Sequence, residues 1–140
     1  MLIDFSPLVE AYGRMPSFHD GHVLDVVWGT TLKVTAYVYE PPEEGCWKQE
    51  WDSDLHTLVT LEFGGVEEAS LFFTDNWLSR AEFREEDGRV VAELQDAESG
   101  RTGRIVSGSV RVSSLVRPDA AFEIGGEKIG TVNVRFEPRR

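Results

Sequence analysis

Between Leu32 and Val38 the chain alternates, with Leu32, Val34, Ala36 and Val38 apolar and Lys33, Thr35 and Tyr37 between them. A period of two is that of a strand with one face buried. Thr57, Val59, Leu61 and Phe63 repeat the pattern, and HVLDVVW, residues 22–28, leads into the first run through Gly29-Thr30 as a hairpin. Gly64-Gly65 turns the chain into VEEASLFF. WLSRAEFRE and RVVAELQD flank Glu86-Asp87-Gly88, where Asp-Gly suits a type I′ turn because both central residues need positive φ. A further turn falls at Glu98-Ser99-Gly100. GRIVSGSVRVSSLV then reads as a strand with Val106, Val110 and Val112 on one face, with Gly108 marking a bulge or a close backbone approach. The last strands expected are AFEI and TVNVRF, paired around Gly125-Gly126.

Only Pro7–Tyr12 reads as helical, with Ser6 as N-cap, Pro7 at the first helical position and Gly13 as the stop. Turn residues recurring every 8 to 12 positions elsewhere are the spacing of antiparallel β-structure. The fold class expected is therefore mostly β: an antiparallel twisted sheet, a sandwich or a partly closed barrel, with a short N-terminal helix. Its 140 residues and 41% hydrophobic content suit a single β-rich domain over 1–140. MLIDFSPLVEAYG has neither a basic start nor a long apolar run, so no secretory signal or membrane span is expected. Cys46 is the single cysteine, which excludes an internal disulfide and suits a reducing cytoplasm.

Charge narrows the partners. With 25 acids against 14 bases the chain carries −11, which repels phosphate backbones and anionic headgroups, so neither nucleic acid nor membrane is an expected partner. Residues 1–70 hold 13 acids and 3 bases, whereas residues 71–140 hold 12 and 11. A basic partner is thus drawn to the first half, although net charge also serves solubility alone.

The tightest cluster of chemically capable side chains is His19, Asp20 and His22, in PSFHDGHVLDV. With the distant His56 these residues offer nitrogen and oxygen ligands for a divalent ion, and a small metal-dependent hydrolase is the alternative reading. The spacing argues against it: on extended backbone His19 and Asp20 point to opposite faces, and Asp20 shares a face with His22 without a nearby third ligand. The structural reading is that Phe18 packs into the core while His19 and Asp20 bond loop backbone as the chain enters its first strand. Cys46 lies beside Glu44 and Trp47, a setting that disfavours thiolate, and no serine sits in a Gly-x-Ser-x-Gly elbow. Gly125 to Gly130 lacks phosphate-loop spacing. No catalytic residue, metal or cofactor is expected.

Glu40 to Asp54 carries six acids and two tryptophans around a single lysine. Trp is enriched at binding hot spots and a carboxylate rim speeds association with a basic partner. Glu43, Glu44, Trp47, Glu50, Trp51, Asp52 and Asp54 are therefore the candidate partner-binding residues. The competing reading folds both tryptophans back as an apolar lid, leaving the acids to solvate the loop.

PSFHDGHVLDV resembles the immunity protein 50 family of bacterial polymorphic-toxin systems, small mostly-β proteins with a Phe-His-Asp, a small residue and then a strand; here these are Phe18, His19, Asp20 and Gly21. LVTLEFGGVEEASLFF and TDNWLSRAEF resemble further family segments, so the likeness runs over about residues 16–116. Gly21 stands where alanine or a similar small residue is usual, and the acidic tryptophan segment matches no family feature. The resemblance implies a cytoplasmic immunity protein that binds and occludes a cognate toxin domain encoded beside it, without catalytic residues of its own. The acidity of the chain suits a basic toxin.

Overall fold

A computed structural model describes residues 2–19, 21–38, 57–71, 77–116 and 133–136. The described residues are mostly β, in two sheets without a closed barrel, with one short helix. In chain order they form β1 (Ile3–Asp4), α1 (Ser6–Tyr12), β2 (Val23–Trp28), β3 (Leu32–Val38), β4 (Thr57–Gly64), β5 (Glu68–Ser70), β6 (Leu78–Glu86), β7 (Arg89–Asp96), β8 (Thr102–Ser107), β9 (Ser109–Val116) and β10 (Asn133–Phe136). The first sheet has the order β1-β9-β4-β3-β2-β10 and the second β5-β8-β7-β6. Pairing is antiparallel except at the two edges of the first sheet, where β1 runs parallel to β9 and β10 parallel to β2.

The alternation expected of β3 and β4 builds the shared core. Leu32, Val34, Ala36 and Val38 are buried, as are Thr57, Val59, Leu61 and Phe63, and the apolar ones share one core with Val90, Ala92, Leu94 and Ile105 of the second sheet. Tyr37 departs from the pattern: it lies on the opposite face of β3 yet is fully buried, so that both faces of the sheet are covered there. On the same side Lys33 is exposed and Thr35 shares a 2.8 Å hydroxyl hydrogen bond with Thr60.

Helix α1 closes one flank. Leu8, Ala11 and Tyr12 are buried, and Phe5 meets Phe83 edge-on with ring centroids 4.9 Å apart. The helix begins one residue earlier than expected: Phe5 is the N-cap and Ser6 already helical, with the Ser6 hydroxyl donating to the Asp4 carboxylate at 2.5 Å. Those bonds hold Asp4 below the ordinary carboxylate range. Gly13, at φ 79°, ends the helix as expected.

The glycine corners correct the strand boundaries. Gly64-Gly65 does not fold the chain back on β4 but carries it to the other sheet, where β5 pairs with β8. GRIVSGSVRVSSLV is likewise two strands, broken at Gly108: β8 belongs to the second sheet and β9 to the first. Ile105 consequently faces the core while Val106 lies on the outer side of its sheet, away from Val110 and Val112. The Gly108 amide lies 2.9 Å from the Gly64 carbonyl oxygen and 3.1 Å from that of Gly65, which is the close backbone approach Gly108 was expected to mark. At the far end of the second sheet Asp87 and Gly88 take φ 52° and 76°, the two positive values a type I′ hairpin requires. Of the expected AFEI–TVNVRF pair, AFEI lies outside the described residues, and residues 133–136 pair with β2.

Candidate functional site

The Phe18–Gly21 segment is a tight turn that ties the two sheets together. The Gly21 amide donates to the Phe18 carbonyl at 2.9 Å, and the Gly21 carbonyl accepts from Leu78 of β6 at 2.8 Å. One residue on, His22 bridges to Trp77 and its carbonyl accepts from Tyr37 of β3 at 2.8 Å. Phe18 holds φ 64°, a left-handed value that a bulky side chain rarely adopts, and its ring is 2% exposed within the core. Burial of that ring keeps the turn in its strained form.

His19 is exposed and its Nδ1 lies 2.9 Å from the Ser79 carbonyl oxygen, so that nitrogen carries the proton and bonds the β6 backbone. His22 is buried with its ring 6.3 Å from that of Trp77. Asp20 and His56 lie outside the described residues, as do Cys46 and the whole partner-binding set Glu43, Glu44, Trp47, Glu50, Trp51, Asp52 and Asp54. Among the described residues no group of three or more His, Cys, Asp or Glu could hold a metal ion. No helix of the described residues is long and apolar enough to cross a membrane.

A surface feature that sequence reasoning missed lies at the other side of the first sheet. Val134 pairs with Val26 and Phe136 with Trp28, which puts these four side chains on one face. They look across at Ala69 of β5 and at Leu71, and the six residues line a cleft of about 400 Å³ that is partly open to solvent. Val134 is 52% and Phe136 78% exposed, so this edge presents apolar surface. Trp28 also lines a smaller cleft with Gly29, Thr30, Thr31 and Gly65. The alternation Val134-x-Phe136 was the available signal, but alternation does not tell an edge that stays open from one that is covered.

Several charged groups elsewhere on the sheets pair with one another. Glu62 of β4 receives Arg111 of β9 at 2.5 and 2.9 Å and the Thr31 hydroxyl at 3.0 Å, with Lys33 at 3.8 Å. Burial pushes the Glu62 carboxyl up, but the bonds from Arg111 and Thr31 and the charges of Arg111 and Lys33 outweigh it, leaving the pKa below 4.5. On the second sheet Arg84 binds Glu86 and Glu93, while Arg89 binds Glu67. Compared with family models, with curated proteins and with solved structures, the chain matches none.

Proposed function

We propose that this chain is a non-catalytic immunity protein that binds a cognate, basic toxin domain in the bacterial cytoplasm and blocks it by occlusion. The observation that carries this reading is the cleft between β2, β10 and β5. Val26, Trp28, Ala69, Leu71, Val134 and Phe136 bring carbon surface and no titratable or nucleophilic side chain. These six side chains can bury a partner's apolar side chains, and none of the six can move a proton or attack a bond. The net charge of −11 adds long-range attraction toward a basic partner and repulsion toward nucleic acid and anionic membranes. The motif resembling the immunity family fits the same reading, since the Phe18–Gly21 turn bonds framework backbone.

The test is affinity capture with this protein as bait from its native cell extract at low and moderate salt, followed by calorimetry with the captured domain. The reading expects one basic toxin domain, held more weakly as salt rises. Replacing Trp47 and Trp51 together by alanine is expected to weaken binding at least tenfold with the melting temperature unchanged. Capture of no toxin from an extract known to contain one, or a stoichiometric transition metal together with hydrolytic activity in the purified protein, overturns the reading.

A further inference from the structure

Strands β4 and β5 on one arm, and β8 and β9 on the other, form a single antiparallel ribbon bent across both sheets. Gly64 pairs with Ser109 in the first sheet and Glu68 with Val106 in the second, four residues along one arm against three along the other. The Glu67 amide donates to the Val106 carbonyl at 2.8 Å and the Gly108 amide to the Gly64 carbonyl at 2.9 Å, so main-chain bonding continues through the bend. The extra residue is a bulge, and both arms carry glycine where it falls. Gly65 holds φ 62° there, a value that residues with a side chain rarely adopt. Among the described strands the chain passes between the sheets only along these two arms, since β5 to β8 make the second sheet and the others the first. What holds the sheets face to face is non-covalent: the shared core, Phe5 on Phe83, and the Ser17 and Gly21 carbonyls accepting from Ala81 and Leu78. None of these contacts requires both of its sides to belong to one copy of the chain.

We propose that this bend is a hinge for exchange, and that the partner it admits is a second copy of this chain. With the ribbon straightened, the second sheet of each copy packs on the first sheet of the other. Opening breaks the contacts between the sheets, and the exchanged dimer remakes each of them, so the balance rests on the bend and on concentration. Two features of the bend favour the straight form. Gly65 is released from positive φ, and the alternation of Val106, Val110 and Val112 reads through Gly108 as one strand. The charge of −11 on each copy opposes their approach, which makes salt a promoter of the dimer. Exchange also changes who builds the cleft. Val26, Trp28, Val134 and Phe136 come from one copy, while Ala69 and Leu71 lie beyond the hinge and come from the other. The inference stands apart from the reading of the chain as a toxin-binding protein.

The test is refolding from urea at micromolar and at millimolar chain concentration, in moderate salt, with a reductant that keeps Cys46 from linking copies, followed by sedimentation. A dimer is expected at the higher concentration, and it should outlast dilution because its return to monomer requires the sheets to part. Refolding a mixture of isotope-labelled and unlabelled chains then separates exchange from ordinary association. In an exchanged dimer the contact between the Phe5 and Phe83 rings, 4.9 Å apart at their centroids, is made between copies and gives a nuclear Overhauser effect from labelled to unlabelled chain. A methyl group at position 65 meets only Gly108, at the ordinary distance of 3.5 Å, so Gly65→Ala strains the backbone alone. That variant is expected to raise the dimerisation constant about tenfold or more. Gly88→Ala is the control: φ there is 76° with nothing within 4 Å, and its turn keeps the same form in monomer and dimer, so the constant should not move. No dimer at millimolar concentration in either the unaltered protein or Gly65→Ala overturns the proposal. So does a dimer whose Phe5–Phe83 contact stays within each copy, or a rise in Gly88→Ala equal to that in Gly65→Ala.

Discussion

Replacing Gly21 by alanine places a methyl group 2.5 Å from the Tyr37 carbonyl oxygen and 3.0 Å from that of Phe18. Ordinary van der Waals contact begins at 3.4 Å, so the nearer oxygen has to retreat by 0.9 Å. Both obstacles are backbone. Tyr37 sits inside β3, paired with Leu58 on one side and bonded to His22 on the other, and Phe18 is anchored by a buried ring. Neither can swing aside as a flexible side chain would. Overpacking at a rigid site costs about 1–3 kcal/mol, and strain on the Gly21 bonds to Phe18 and Leu78 brings the expected loss to about 2–4 kcal/mol. For a chain of this size that is a fall in melting temperature of about 10 °C. Urea and thermal unfolding of Gly21→Ala against the unaltered protein, at equal m-value, measure it directly. The resemblance drawn from the sequence has alanine as a usual residue at this place and so expects a neutral substitution. A loss below about 0.5 kcal/mol would refute the geometry argued for the turn.

Glu62→Gln is expected to cost about 1–2 kcal/mol at pH 7, because Arg111 loses its charged partner. The folded-state pKa lies below the unfolded value, so the contribution is complete above about pH 4.5 and is lost as the pH falls through the folded value. The gap between variant and parent in urea titrations should therefore close on acidification, and a gap that stays constant would refute the assignment. Thr57 is fully buried, and its hydroxyl has no hydrogen-bond partner among the described residues. Thr57→Val should accordingly raise stability by about 1 kcal/mol, and a lower melting temperature would contradict it.

Local chemistry made parts of this fold legible and left others silent. The β6–β7 hairpin was readable because Asp87-Gly88 has one good backbone solution between two strand-like runs. Helix α1 was readable because Pro7 and Gly13 bracket an apolar pair, though its start moved by one residue. Gly64-Gly65 and Gly108 were recognisable as places where the chain bends, but a bend does not announce which sheet the next strand joins. That choice is made by long-range pairing, and it split one expected strand into β8 and β9. The burial of Tyr37 was equally hidden, since alternation describes one face of a strand and assumes that the other meets water. For the candidate site, the burial of Phe18 and the bond of His19 to the Ser79 carbonyl were suggested by residue type, Asp20 lies outside the described residues, and the cleft was not legible because it depends on β10 lying parallel to β2.

The bonds from the Gly108 amide to Gly64 and Gly65 close a circle in the chain. Directly below them Gly64 pairs with Ser109 and Phe63 with Val110, so β4 and β9 stand to each other as the two arms of a hairpin. Everything from β5 to β8, the whole second sheet, is the loop of that hairpin. In connectivity it is an appendage, and a two-residue turn in its place would leave the strand order of the first sheet unchanged. In free energy it is half the molecule, because Val90, Ala92, Leu94 and Ile105 cover the inner face that Val34, Leu61 and Phe63 present. A chain cut at this neck would thus keep the blueprint of the six-stranded sheet and lose the apolar cover that lets it persist in water.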